Sequence, residues 1–319
     1  LAEEGVDSVA VEASSHALEQ KRLDGMRFDA AVFTNLSQDH LDYHPDMASY
    51  LGAKSHLLDL VKDEGLTVVN ADVDHWRTLP LEGCRTLTYG VDSPADLRAE
   101  ALVPEPHGTR FRMTLADANA EVHLPLLGRF NVENSLAAAG AGTAAGMGVE
   151  AIAERLSTVP QVPGRFEIVA REPFSILIDF AHTVEALRSV LAALRPLVAG
   201  RIIVVFGAGG DRDRGKRPEM GAVVAQGADL AFVTSDNPRT EDPESIIDEV
   251  VAGMAGSSHE RHADRREAIS MALEEARAGD LVLLAGKGHE SYQVIGTESR
   301  PFDERRVVRE SLAELGGAA

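Results

Sequence analysis

Short apolar runs alternate along the chain with stretches whose apolar positions recur at i, i+3, i+4 and i+7. The clearest runs are Ser8–Val11, Ala30–Phe33, Thr67–Val69, Ser175–Ile178, Arg201–Phe206, Leu230–Val233 and Leu281–Leu284. Strand-length runs separated by helical stretches predict a parallel sheet with crossover helices, an α/β architecture. A block from Arg85 to Pro125 has another period. Phe111, Met113 and Leu115, then Val122 and Leu124, alternate with polar residues, as antiparallel strands with one wetted face do. Asn131–Met147 is rich in small residues and reads as a helix. Pro45 suits a first helical turn, and the pattern after it places Met47, Tyr50, Leu51, Leu57, Leu58 and Val61 on one helix face. Val159-Pro-Gln-Val-Pro-Gly164 holds two prolines and a glycine and is the strongest linker signal, so the chain divides into 1–159 and 160–319. Leu1 leads at once into helix-like Leu-Ala-Glu-Glu-Gly, which predicts a start inside a domain, and Gly316–Ala319 is expected to fray.

Ligands of open parallel sheets sit beyond the carboxyl ends of the strands. Six of the apolar runs end there in polar or glycine clusters: Glu12–His16, Thr34–Asn35 continuing to Asp39–His40, Asp179–His182, Gly207–Arg212, Asp236–Arg239 and Gly286–Glu290. Composition narrows what such a site could bind. Acidic residues number 51 against 31 Lys and Arg, a net charge of −20, which argues against nucleic-acid binding. Small anions must then be met by local basic groups and backbone amides. No apolar run approaches the roughly 18 residues that span a bilayer. The lone Cys84 excludes an intrachain disulfide and fits a reducing cytoplasm.

Individual residues leave alternatives open. Lys54 falls on the apolar face of the helix after Pro45. It reads as a lysine snorkelling at the edge of that stripe, or as a desolvated amine able to take up carbon dioxide and become a carbamate oxygen ligand suited to Mg²⁺. Glu12 and His40 follow strand ends and could complete such a cluster. His40-Leu-Asp-Tyr-His44 lacks the glutamate of the zincin pattern and is followed by Pro45, which argues against zinc. The glycine loop Gly207–Arg212 has Arg212 where a dinucleotide fingerprint needs glycine. Gly210–Lys216 has Walker-A spacing but Arg217 where Ser or Thr should hold Mg²⁺. It therefore reads as a carboxylate- or phosphate-reading loop, or as a solvated turn. An oxidoreductase is disfavoured on the same ground. Asp236-Asn-Pro-Arg239 is either an Asx-Pro turn or, with Glu290, a zwitterion site with arginine for the carboxylate and acids for the ammonium.

Nine ordered motifs resemble the Mur ligase family: Val11-Glu-Ala-Ser-Ser-His16, Phe33-Thr-Asn-Leu-Ser-Gln-Asp-His-Leu-Asp-Tyr-His44, Ala53-Lys54, Gly128-Arg-Phe-Asn-Val-Glu-Asn134, Pro163-Gly-Arg-Phe-Glu167, Asp179-Phe-Ala-His-Thr183, Gly209-Gly-Asp-Arg-Asp213, Asp236-Asn-Pro-Arg239 and Gly286-Lys-Gly-His-Glu290. The resemblance is to the branch that adds diaminopimelate to UDP-N-acetylmuramoyl-L-Ala-D-Glu in peptidoglycan synthesis. It implies the C-terminal part of a central ATPase domain over 1–159 and a Rossmann-like C-terminal domain over 160–319. The family's N-terminal domain and its Gly-Thr-rich phosphate loop have no match in these residues, so this stretch by itself is expected to be inactive. The implied reaction is ATP- and Mg²⁺-dependent. An acyl phosphate forms on the dipeptide carboxylate, and the amine of diaminopimelate attacks it. The resemblance assigns Glu12, His40 and Lys54, as carbamate, to catalysis and metal. It assigns Ser14, Gln20 and Arg22 to the UDP-muramoyl dipeptide, and Asn134, Arg165 and Asp179 to ATP. Arg212, Asp236, Asn237, Arg239, Gly286 and Glu290 fall to diaminopimelate. Val184-Glu185 stand where the family usually has Pro-Asp. The competing readings are a lysine-adding or other Mur-type ligase, a folylpolyglutamate synthetase relative, and a non-catalytic diaminopimelate-binding remnant.

Overall fold

The computed structural model describes residues 5–36, 43–105 and 107–317. Their contacts fall into two compact units, Leu1–Pro125 with Arg129–Val159, and Leu126–Gly128 with Pro160–Ala319.

The first unit is built on a six-stranded sheet. Its elements are α1 (Ser15–Glu19), β1 (Phe28–Phe33), α2 (Met47–Ser55), β2 (Val61–Asn70), β3 (Arg85–Gly90), β4 (Leu97–Glu105), β5 (Gly108–Leu115), β6 (Ala118–Leu124), α3 (Arg129–Ala144) and α4 (Val149–Leu156). The strands lie in chain order, parallel from β1 to β4 and antiparallel from β4 to β6. The alternation in the Arg85–Pro125 block thus produces the antiparallel part, with Phe111, Met113, Val122 and Leu124 buried. The small residues of α3 have a packing purpose. A Cβ on Gly140 would lie 2.4 Å from Val68 Cγ1, so glycine lets α3 approach β2 closely.

Two expectations fail here. Ser8–Val11 is not a strand: Val6, Val9 and Val11 are exposed, and among the described residues no strand pairs with this segment. Apolar alternation cannot hold an extended chain whose N–H and C=O groups have no partner ladder. The helix after Pro45 also stops early. Asp46 caps it, accepting from Ser49 N at 2.8 Å, but it ends at Ser55. Val61 already pairs with Phe28 in the sheet, which forces extended backbone. Leu57, Leu58 and Val61 still pack against the cluster of Phe33, Tyr50 and Trp76, from backbone that is no longer α-helical.

The second unit contains β7 (Glu167–Ala170), β8 (Ser175–Asp179), α5 (Val184–Leu194), β9 (Ile202–Phe206), α6 (Lys216–Gly227), β10 (Leu230–Val233), α7 (Pro243–Val251), β11 (His259–Arg261), α8 (Arg265–Glu275), β12 (Leu281–Ala285), the hairpin β13 (Tyr292–Ile295) and β14 (Glu298–Pro301), and α9 (Glu304–Gly317). Its sheet runs β11-β10-β9-β12-β8-β7, and only β7 is antiparallel to its neighbour. Every residue of β9 and β12 is buried, as expected of central parallel strands covered on both faces. The chain leaves β9 toward β10 and β11, then returns to place β12 on the other side of β9. The crevice beyond β9 and β12 is therefore the topological switch point, where ligands of such sheets bind.

The loop after β9 is held by a buried arginine. Arg217, in the first turn of α6, has a side chain with no exposed surface. It donates to Glu241 from Nη2 (2.7 Å to Oε1) and Nη1 (3.0 Å to Oε2), to Glu249 Oε2 at 2.8 Å, and to the Gly209 carbonyl at 3.2 Å. Glu241 in turn accepts from Asp211 N at 2.6 Å. Bonded to Arg217, the Glu241 carboxyl is held down at about 2, against an ordinary value of 4.5.

Two outcomes follow from this packing. Gly140→Ala gains up to about 1 kcal/mol of helix propensity but meets an overpacking cost of about 1–3 kcal/mol. A net loss of stability is expected in chemical denaturation. Glu241→Gln removes a group whose folded-state value is depressed, so the native pair stabilises fully above 4.5 and loses its effect as pH falls toward 2. The variant is expected to be less stable by about 2 kcal/mol at pH 7. That deficit should narrow progressively below pH 4.5 in paired melts.

Candidate functional site

At the carboxyl edge of the second sheet the loops after β9, β10 and β12 meet. Glycines make the meeting possible. A Cβ on Gly207 would stand 2.1 Å from the Thr234 carbonyl oxygen, and one on Gly210 would stand 1.8 Å from that of Pro238. Gly210 N instead donates to the Asn237 carbonyl at 2.9 Å. The β10 loop is also stitched to the hairpin. Arg239 N donates to the Val294 carbonyl at 3.1 Å, and Gly296 N to the Arg239 carbonyl at 2.7 Å. Arg239 adopts φ +52°, a left-handed conformation that turns its side chain back toward the β9 loop.

There its Nη1 donates to the Gly210 carbonyl at 2.7 Å. Nε and Nη2 make no hydrogen bond among the described residues, which leaves one planar edge of the guanidinium open. Asp236 lies beside it in sequence and is only 7 % exposed, yet its Oδ2 has no hydrogen-bond partner. Gly286, at φ +117°, lets that oxygen lie against the backbone, since a Cβ there would be 2.5 Å away. A carboxylate buried without a partner is costly unless a cation joins it.

The neighbouring side chains bond to one another. Asn237 Nδ2 donates to Glu290 Oε2 at 3.0 Å, and its Oδ1 accepts from Val294 N at 2.9 Å. Lys287 Nζ donates to Asn237 Oδ1 and to Glu290 Oε2, each at 3.1 Å. Beneath the loops, Arg265 of α8 pairs with Glu304 of α9 and donates to the carbonyls of Ser235 (3.4 Å) and Ala285 (2.8 Å). Burial pushes the Glu304 carboxyl up, against the pull of Arg265. This pair fixes the ends of β10 and β12 immediately before Asp236 and Gly286.

The structure thus brings Asp236, Asn237, Arg239, Gly286 and Glu290 together. Arg212 is exposed, with its Nη1 on the Asp211 carbonyl at 3.3 Å, and its side chain lies by Gly209 near Arg239. The basic run around it is less available than its sequence suggests, because Arg214 pairs with Glu249. Lys216 Nζ reaches the His182 carbonyl at 3.4 Å. Asp179 is buried, and both oxygens are taken by backbone, Oδ2 by Phe166 N (2.7 Å) and Oδ1 by Ala181 N (2.8 Å). Burial nevertheless pushes its carboxyl up. In this arrangement it fastens the 164–166 turn to β8. The guanidinium of Arg165 lies over the Phe180 ring at 4.6 Å.

The first unit assembles a different cluster. Ser14 caps α1, accepting from Ala17 N at 3.2 Å. Gln20 Nε2 donates to the Tyr43 hydroxyl at 3.3 Å, and Arg22 is exposed. Lys54 is half-buried with Nζ 5.2 Å over the Tyr50 ring, Glu12 is exposed, and Asn134 lies exposed on α3. His40 lies outside the described residues. Among the described residues no three His, Cys, Asp or Glu side chains converge.

Sequence reasoning missed Lys287 and Arg217. The only signal for Lys287 was its place between two glycines that the motif had already marked. Arg217 was noted merely as breaking a Walker-A pattern.

Two family models match the chain, the Mur ligase middle domain over residues 1–142 and the Mur ligase glutamate ligase domain over 164–288. The UDP-N-acetylmuramoyl-L-alanyl-D-glutamate--2,6-diaminopimelate ligase of Gloeobacter violaceus is 48% identical over 318 residues, covering 98% of this chain and 65% of that protein. The protein of the same name from Bacillus cereus is 41% identical over 320 residues, with the same coverage. A solved structure of a UDP-N-acetylmuramoyl-L-alanyl-D-glutamate--2,6-diaminopimelate ligase superposes with TM-score 0.68 at 38% identity, covering 99% of this chain and 66% of that one. A Mycobacterium tuberculosis folylpolyglutamate synthase shares the fold at 19% identity and TM-score 0.69, over 81% of this chain and 61% of that one. The chain thus spans about 65% of the length of the curated relatives it matches. With both domain models in order along it and relatives above 40% identity over nearly its whole length, this chain belongs to the Mur ligase family.

Proposed function

We propose that this chain is the amino-acid-adding part of an ADP-forming ligase that joins diaminopimelate to UDP-N-acetylmuramoyl-L-Ala-D-Glu in cytoplasmic peptidoglycan synthesis. One observation carries the reading: the loop after β10 holds a buried carboxylate oxygen without a partner, on Asp236, and three residues on an arginine with an open edge, Arg239. An α-amino acid end presents an ammonium and a carboxylate close together, and this pair of groups is its complement. Asp236 receives the ammonium, assisted by the unbonded Oε1 of Glu290. The Nε and Nη2 edge of Arg239 receives the carboxylate in the bidentate geometry guanidinium favours. Arg212 supplies further positive charge at the rim.

Diaminopimelate carries two such ends, so one can be gripped here while the other presents its amine for reaction. Lysine has only one such end, so with its α-amine presented for reaction it places a bare ammonium here and leaves the Arg239 edge unpaired. Sites that strand a polar group in this way can reject the analogue by up to about 10⁴. ATP supplies the phosphoryl group that activates the acceptor carboxylate. The family resemblance gives Asn134 and Arg165 to ATP, and the backbone-bonded Asp179 supports the Arg165 turn. Ser14, Gln20 and Arg22 face the UDP-muramoyl dipeptide. Glu12, His40 and Lys54 are the residues the family resemblance gives to Mg²⁺.

Isothermal titration of this chain tests the reading. Diaminopimelate is expected to bind and lysine to bind far more weakly. Arg239→Ala should lower the diaminopimelate-to-lysine affinity ratio by about tenfold or more. Asp236→Asn should weaken both ligands. Equal affinity for the two amino acids in the unaltered chain would refute the proposal.

A further inference from the structure

Lys287, like Arg217 and Arg265 of the second unit, has an entirely buried side chain. Two of its three ammonium hydrogens are spent on Asn237 Oδ1 and Glu290 Oε2, both at 3.1 Å. The ammonium also lies 6.0 Å from the centre of the Tyr292 ring. A lysine so placed cannot reach a ligand. It closes a three-membered ring, because Asn237 Nδ2 donates to the same Glu290 oxygen at 3.0 Å.

The ring dictates two orientations. Asn237 Oδ1 accepts from both Lys287 Nζ and Val294 N, so its amide cannot flip and its NH₂ must face Glu290. Glu290 Oε2 accepts twice and is turned inward, which leaves Oε1 as the oxygen available to the pocket. Without the ammonium, Asn237 Oδ1 would keep only Val294 N as donor, and Glu290 would lose the only cation bonded to it among the described residues, so the amide and the carboxylate would be less firmly held. Gly286 and Gly288, at φ +117° and +55°, bend the loop so that Lys287 points under the site while Glu290 closes back on it, its N–H bonded to the Lys287 carbonyl at 2.9 Å.

We propose that Lys287 is a positioning residue of the pocket, setting the Asn237 amide and the Glu290 carboxylate in the one arrangement that receives an amino-acid ammonium group. The inference deepens the diaminopimelate reading and rests on it for the identity of the ligand. It does not rest on that reading for the geometry it predicts.

The test combines binding with a spectroscopic signature in the ligand-free chain. Lys287→Met keeps the apolar stem and removes the ammonium. Diaminopimelate affinity, measured by calorimetry, is expected to fall about tenfold or more. In a Glu290→Gln background the same change should cost less than about threefold, because two residues acting through one contact are not additive. In ¹H–¹⁵N spectra the side-chain amide pair of Asn237 should move to a solvent-exposed position and exchange faster in the Met variant, with the backbone signals of β8, β9 and β12 in place. An unchanged Asn237 pair would overturn the proposal. So would equal losses in the two backgrounds, since Lys287 would then act independently of Glu290. If Lys287→Met does not fold, Lys287→Gln is read in the same way. If the unaltered chain binds no diaminopimelate, the ligand reading falls and the Asn237 signature alone decides the role of Lys287.

Discussion

Asp236 is buried at the end of β10 with a carboxylate oxygen that the protein leaves unbonded. Much of the second unit's carboxyl edge can be understood as making that position tolerable and useful. Gly286 removes the side chain that would collide with it. The Arg265–Glu304 pair pins the strand ends on either side. The backbone bonds between Arg239 and the β13 turn hold the neighbouring guanidinium in a left-handed conformation that aims it at the β9 loop. A desolvated charge costs several kcal/mol if nothing answers it. Under the proposed function, a ligand cation is the partner that answers it.

The same edge shows how buried ion pairs act as scaffolding. Arg217 touches nothing a ligand would touch, yet through Glu241, Glu249 and the Gly209 carbonyl it fixes the loop against which Arg239 rests. Lys287 does for Asn237 and Glu290 what Arg217 does for the glycine loop. Both are fully buried cations whose donors hold the loops around the crevice. Such networks stabilise little in net terms, but they admit few alternative arrangements.

The central strands were legible because burial on both faces writes an unbroken apolar run, as in Ile202–Phe206 and Leu281–Ala285. The antiparallel block was legible from its period of two. β7, β11 and the β13–β14 hairpin were not, since they are short and none is buried along its whole length. Ser8–Val11 shows the converse: an apolar run signals capacity for a strand, and pairing decides whether one forms. In the site, Asp236, Arg239 and Glu290 were visible as polar groups at strand ends. The restraints upon them were not, because nothing local shows that Lys287 is buried or that Asp179 is consumed by backbone amides.

Under the proposed function, the crevice beyond β9, β10 and β12 binds the zwitterionic end of diaminopimelate. Residue-by-residue mapping of that ligand onto the ¹⁵N-labelled chain is the decisive measurement. Saturable shifts are expected at Gly209, Gly210, Asp236, Asn237, Arg239, Gly286 and Glu290, with the strands of the first unit unmoved. Saturable binding that leaves those signals in place and perturbs other residues would contradict it, as would the absence of any shift at millimolar ligand.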